Sequence, residues 1–223
     1  FFLMGGVAIP SDRAAVLSSE IQRIRAEHGY APEDSLKYQM ASRPDSIDRD
    51  TFNAAKSAVI DLCDTHSVKI FLYVCHSRIA SNLSAIDKFQ WGSNALLWNA
   101  NAFLSEANSH AWVLQDRHPV EGEFAYYKRR FTESQPDSLE RHHQLDRILG
   151  FGSTTDGASH LASISDITLG SYRYCINNPS HDIVNGLLMP RLLKNTWGFP
   201  DCIDKGVGIY PRGPIKRKDC ANN

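Results

Sequence analysis

Two aspartates stand where a carboxylate could do chemistry. Asp116 ends the apolar run Ala111–Leu114, and ligands of open α/β sheets gather at the carboxyl edge of strands. The same position suits an ordinary helix N-cap. Asp166 lies in an apolar, small-residue segment from Gly157 to Tyr174, flanked by Ile164 and Ile167. Counting by four puts Ala162, Asp166 and Gly170 on one line of a helix, so that face can approach another element while leaving a carboxylate room. Such a group must be paired, neutralised or bound to a cation, and Arg173 is the nearby residue that could pair with it. Two acids from different elements can hold a pair of Mg²⁺ or Mn²⁺ ions ~3.5–4 Å apart for phosphodiester hydrolysis.

Other chemistries find no motif. There is no GxxxxGK[ST] loop, no GxGxxG after a strand, no GxSxG elbow and no HExxH helix. Gly150-Phe151-Gly152 reads as a pair of glycines in a loop. His142 and His143 are adjacent, so they diverge, which is poor geometry for one metal. His76 and His160 are weaker candidates for the site, with solvated or core roles open to both. Lys128-Arg129-Arg130 and Lys216-Arg217-Lys218 are the dense basic runs, able to contact phosphates or to form solvated faces.

The elements that must position these residues alternate. Phe1–Pro10 reads as an apolar strand with a Gly5-Gly6 interruption, followed by a helix capped by Ser11 and stopped at His28-Gly29. Because the strand signal begins at Phe1, a further segment is expected upstream. Leu36–Met40 alternates as a short strand, Asp50 opens a second helix, and Val68–Cys75 is the strongest strand signal in the chain. A helix over Asn94–Ala107 precedes a strand over His110–Gln115. Helices are predicted over Glu121–Thr132, Leu139–Leu149, Ala158–Ile176 and Asp182–Lys194, with an irregular tail beyond Trp197. The alternation predicts an α/β fold in which the Phe1, Leu36, Val68 and His110 strands share one sheet, with Trp112 and Phe71 in its core. The expected organisation is one domain with a helical insertion and a loose tail.

The 223 residues are 42% hydrophobic and 22% charged, enough apolar material for a core without disulfides or a structural metal. A net charge of -1 argues against a protein coated in positive potential, though not against a local basic patch. No apolar run approaches the roughly 20 residues of a bilayer span, so no membrane partner is expected. The opening Phe1-Phe2-Leu3-Met4 lacks a basic flank and a cleavage site, unlike a signal peptide. Five cysteines without a CxxC pair fit a reducing, cytoplasmic compartment, with Cys63, Cys75 and Cys175 as buried hydrophobes.

The order of elements, the Phe2–Ile9 and Leu36-Lys37-Tyr38 strands, Val113-Leu114-Gln115-Asp116-Arg117, and Ser163-Ile164-Ser165-Asp166 with Gly170 resemble a bacterial family. This is domain-of-unknown-function family 3800, grouped with ribonuclease-H-like proteins. The resemblance runs from Phe1 to about Asn178. It implies a ribonuclease-H-like mixed sheet flanked by helices, with additional C-terminal helices. It implies a strand ending in Asp followed by Glu or Arg, matched by Asp116-Arg117, and a late helix acid, matched by Asp166. Ser163 and Ser165 replace the family's usual Gln and Ala, and the family's Asp-Glu-Ser strand would precede Phe1. Lys37 falls where the family often carries a lysine that could hold a phosphate. The function implied is a nuclease using Mg²⁺ or Mn²⁺ on DNA or RNA, with Asp116 and Asp166 as metal ligands and Lys37 beside the scissile group. The alternative is an inactive ribonuclease-H-like module that binds nucleic acid or a protein partner, in a mobile-element or phage-defence setting.

Overall fold

The computed structural model describes residues 1–75, 81, 83–116, 122–136, 142–154, 158–197 and 207–210. His76, Arg117 and Lys216-Arg217-Lys218 lie outside them. The described chain is α/β, with six helices and small sheets of two or three strands. No helix among the described residues is long and apolar enough to cross a membrane.

The first sheet is organised by β2 (Lys69–Cys75), six of whose seven residues are buried. Burial on both faces calls for a continuous apolar run, which Ile70–Cys75 supplies. β1 (Phe2–Ala8) pairs antiparallel with β2 along its whole length, Phe2 opposite Cys75 and Ala8 opposite Lys69. On the other edge β7 (Val207–Tyr210) runs parallel to Leu72–Cys75, within the stretch read from the sequence as irregular.

Alternation divides β2 between two cores. Ile70, Leu72 and Val74 join the larger, with Leu17 and Ile21 of α1 (Ser11–Glu27) and Phe52 and Val59 of α2 (Arg49–Thr65). Ile164 and Ile167 of α5 (Ala162–Asn177) and Leu192 of α6 (Asp182–Asn195) complete that layer. Tyr73 and Cys75 face α3 (Ala85–Glu106), while Phe71 packs edge-on to Phe103 with Trp197 beside both. Asp48 caps α2 through its carboxylate, which accepts from Thr51 N–H at 2.8 Å, and that bond chiefly holds its pKa down. Ser84 and Asp87 form a capping box on α3. α6 is fastened to α2 by Lys194 to Asp64 at 2.6 Å and Arg191 to Asp61 at 2.5 Å.

A second sheet pairs β3 (Ala111–Asp116) in parallel with β6 (Ile148–Thr154). The expectation of one sheet therefore fails: both edges of β2 are taken by β1 and β7, and β3 pairs with β6 instead. The predicted helix over Leu139–Leu149 fails too, because Ile148 already belongs to β6. Gly150 and Gly152, read as a loop, lie in that strand because Trp112 and Leu114 occupy the space a Cβ would take. The inner face of the sheet meets Phe89 and Leu97 of α3 and Tyr126 of α4 (Glu123–Glu133). A short hairpin of β4 (Gln135–Pro136) and β5 (His142–His143) follows α4.

Three further expectations change. Ser11 is the first helical residue and Pro10 precedes it, with no side-chain cap. Leu36–Met40 forms no strand; its backbone bonds to side chains and turns. Trp112 is 66% exposed, since β3 turns Ala111, Val113 and Gln115 inward and Trp112, Leu114 and Asp116 outward. Gly29, at φ +80, ends the first helix as expected, and Cys63, Cys75 and Cys175 are buried and outside any disulfide among the described residues.

Phe71 and Trp112 thus define a test of this layering. Phe71→Ala should cost ~3–5 kcal/mol in a denaturant titration, whereas Trp112→Ala should stay below about 1 kcal/mol. Equal losses at the two positions would contradict the outward phase of β3.

Candidate functional site

α5 comes close to the first sheet because residue types allow it. Gly5 of β1 has no Cβ, and the Leu169 side chain fills that space. The next residue, Gly170, receives the ring of Tyr38, which a Cβ there would overlap. The small-residue line expected through Ala162, Asp166 and Gly170 is therefore a real contact face, and its occupant is the 38–40 turn. Tyr38 N–H donates to Asp166 Oδ2 at 2.5 Å, so the carboxylate holds the backbone donor that a strand neighbour would otherwise have taken. Lys56 reinforces the turn, its ammonium 3.5 Å from the Tyr38 carbonyl and 4.8 Å from the ring centroid. Burial lowers the Lys56 pKa, and the Arg49 charge adds to the effect. Burial, with smaller contributions from Cys175 and Tyr174, pushes the Tyr38 hydroxyl up to about 12. Tyr38 is thus a neutral, packed ring at physiological pH.

Between this turn, β1 and α5 lies an open groove of about 510 Å³. Its lining runs down one face of α5 through Asp166, Gly170, Arg173, Tyr174 and Asn177, with Leu3 and Gln39 opposite. Seven residues separate Asp166 from Arg173, about 10 Å along the helix axis. Arg173 is exposed and forms no ion pair with a described residue, so the salt bridge considered from the sequence is not made. Tyr174 is fixed by a hydrogen bond between its hydroxyl and His181 Nδ1. The groove therefore offers a carboxylate at one end, and a guanidinium with amides and an aromatic edge at the other.

The predicted site residues do not converge on it. Asp166 lines the groove. Asp116 is exposed at the end of β3, on the outward face of the second sheet, and contributes nothing to the lining. Lys37 follows the buried Leu36 and is half-buried, but it too lies outside the lining. Among the described residues no group of three or more His, Cys, Asp or Glu side chains is placed to hold a metal ion. His160 is committed elsewhere: its Nδ1 accepts from Arg25 at 3.1 Å, and Arg25 also donates to the carbonyls of Ala31, Pro32 and Asp34. His142 Nδ1 meets the Ser134 hydroxyl at 2.9 Å, while His143 packs on Trp98. Sequence reasoning weighed Arg173 only as a partner for Asp166 and missed Asn177 and Tyr174. Their spacing from Asp166 along one helix face was the available signal.

Gly170→Ala tests whether the Tyr38 seat builds the groove. Helix propensity alone would make this change favourable by up to about 1 kcal/mol. Displacement of the Tyr38 ring should instead make it unfavourable by ~1–3 kcal/mol, read as a lowered denaturation midpoint. A raised midpoint would show that the turn does not depend on this contact.

No family model matches the chain, and neither a curated protein nor a solved structure matches it.

Proposed function

We propose that this chain is a ribonuclease-H-like module that binds nucleic acid in the groove between α5, β1 and the 38–40 turn, without cutting it. The observation that carries this reading is the exposed Arg173 guanidinium, which pairs with no acid among the described residues and stands in an open groove beside the Asn177 and Asn178 amides and Tyr174. A guanidinium is suited to bidentate contact with phosphate oxygens, and amides suit sugar and base edges. Asp166 sits at the opposite end, where its charge repels phosphate and so directs the backbone towards Arg173.

The fold resemblance to ribonuclease-H-like proteins is supported by a mixed sheet with helices on both faces and by Asp166 on a late helix. Cleavage has weaker support. The metal-dependent scheme needs two acids around one scissile phosphate, and Asp116 lies on a different sheet from the groove that holds Asp166. Asp166 is also engaged by the Tyr38 N–H, a role in which its carboxylate orders the groove wall.

Anisotropy titrations of the full chain with labelled DNA and RNA oligonucleotides test this. Affinity should fall linearly on a log–log plot against salt. Arg173→Ala should weaken binding about tenfold, the scale of a lost charge-assisted hydrogen bond. Unchanged affinity in Arg173→Ala would remove the groove from the binding surface. Mg²⁺- or Mn²⁺-dependent cleavage, abolished by both Asp116→Asn and Asp166→Asn, would restore the nuclease reading.

A further inference from the structure

The outer face of α4 carries a pattern that the groove does not explain. The helix buries Glu123 and Tyr126 and half-buries Tyr127 on its inner side, where Tyr126 meets Phe89 at 5.2 Å and Tyr127 meets Phe151 at 4.9 Å. Gln115 donates to Glu123 at 2.8 Å, and Arg130 donates to Asn94 at 3.1 Å, so both charges on this side have polar partners. The opposite face of an ordinary surface helix is polar. The outward stripe here instead carries Phe124, 67% exposed, and Phe131, 55% exposed, at positions i and i+7, with the Phe131 ring meeting Phe151 in a T-shaped contact at 6.4 Å. Lys128 lies between them at i+4, whereas Arg129, the next residue, is turned away from this stripe. Neither cation forms an ion pair with a described residue, and both are exposed.

An exposed large apolar side chain needs no explanation when it stands alone. Two phenyl rings on one stripe, separated by a cation, are a different arrangement. Their positions are about 10 Å apart along the helix, with Lys128 between them. Bases stack on aromatic faces irrespective of sequence, while cations follow the backbone between them, and this combination is how single strands are held. In a duplex the base faces are already covered by their neighbours, so exposed phenyl rings would add nothing there.

We propose that the outer face of α4 is a single-strand nucleic-acid platform, in which Phe124 and Phe131 stack bases and Lys128 contacts the intervening phosphate. Charge complementarity selects this occupant. The inference rests on the nucleic-acid reading above and adds a second surface and a strand preference to it.

The full chain should be titrated with a single-stranded oligonucleotide and with a blunt hairpin of equal length. Phe124→Ala/Phe131→Ala should weaken single-strand binding at least tenfold and leave hairpin binding within twofold. Phe124→Leu/Phe131→Leu, which keeps apolar bulk but removes the π face, should show the same loss. Lys128→Ala should reduce the slope of log affinity against log salt by about one. Phe124, Lys128 and Phe131 are all exposed, so the variants should melt close to the wild type. Single-strand affinity unchanged in both double variants, with Arg173→Ala still weakening binding, would overturn this platform and leave the groove reading intact. A wild type that binds no nucleic acid would overturn both. Binding of the wild type to anionic phospholipid vesicles but not to oligonucleotides, kept in the Leu variants, would assign the face to a membrane surface instead.

Discussion

Burial of β2 on both faces is the constraint on which the rest of this structure depends. A strand with Ile70, Leu72 and Val74 on one side and Phe71, Tyr73 and Cys75 on the other cannot be satisfied by a single layer. Helices α1, α2, α5 and α6 cover the first side, while α3 with Phe103 and Trp197 covers the second. Its backbone is equally demanding, because buried N–H and C=O groups require partners. β1 supplies them along one edge, and on the other Trp197 N–H donates to the Ile70 carbonyl before β7 takes over. A chain that places both edges of β2 in this way leaves β3 to find another neighbour. That is why two small sheets appear where one was expected.

The groove is a consequence of how closely helices can approach that sheet. α3 comes down on β1 and β2 at Gly92, whose missing side chain is replaced by Met4 Sδ and the Tyr73 ring. α5 does the same at Gly5 from the opposite side, through Leu169. Once α5 is fixed at that height, Gly170 and Asp166 can seat Tyr38 and hold its backbone. The turn then stands off from the helix end, and the space between becomes the groove. Packing and polar satisfaction act together here: the ring fills the volume left by a glycine, and the carboxylate satisfies the adjacent amide.

Charge is distributed in keeping with two local surfaces and not with a general field. The chain is close to neutral, with 24 basic and 25 acidic residues. Many of its acids are occupied by local structure, such as Asp48 and Asp87 at helix starts, and Asp61 and Asp64 against α6. Arg173 and the Lys128-Arg129 pair stand apart from these arrangements. A nearly neutral protein can therefore present phosphate-sized positive sites without a broad basic coat.

The amino-acid sequence by itself determined the elements whose signals are local. The uninterrupted apolar run of β2, the periodic apolar face of α2, the glycine stop after α1 and the small-residue line around Asp166 all read correctly. Each depends on residues within a few positions of one another. The features that could not be read there depend on partners far along the chain. Trp112 looks like a core residue until β6 shows that glycines lie beneath it and solvent above. Leu36–Met40 alternates like a strand, yet the Tyr38 amide is claimed by a carboxylate 128 positions away. Asp116 and Asp166 read as a pair because both are acids at suggestive positions, but periodicity cannot tell which sheet edge each one faces. That separation was settled by edge competition at β2, a long-range choice that leaves no mark on the local pattern of either aspartate.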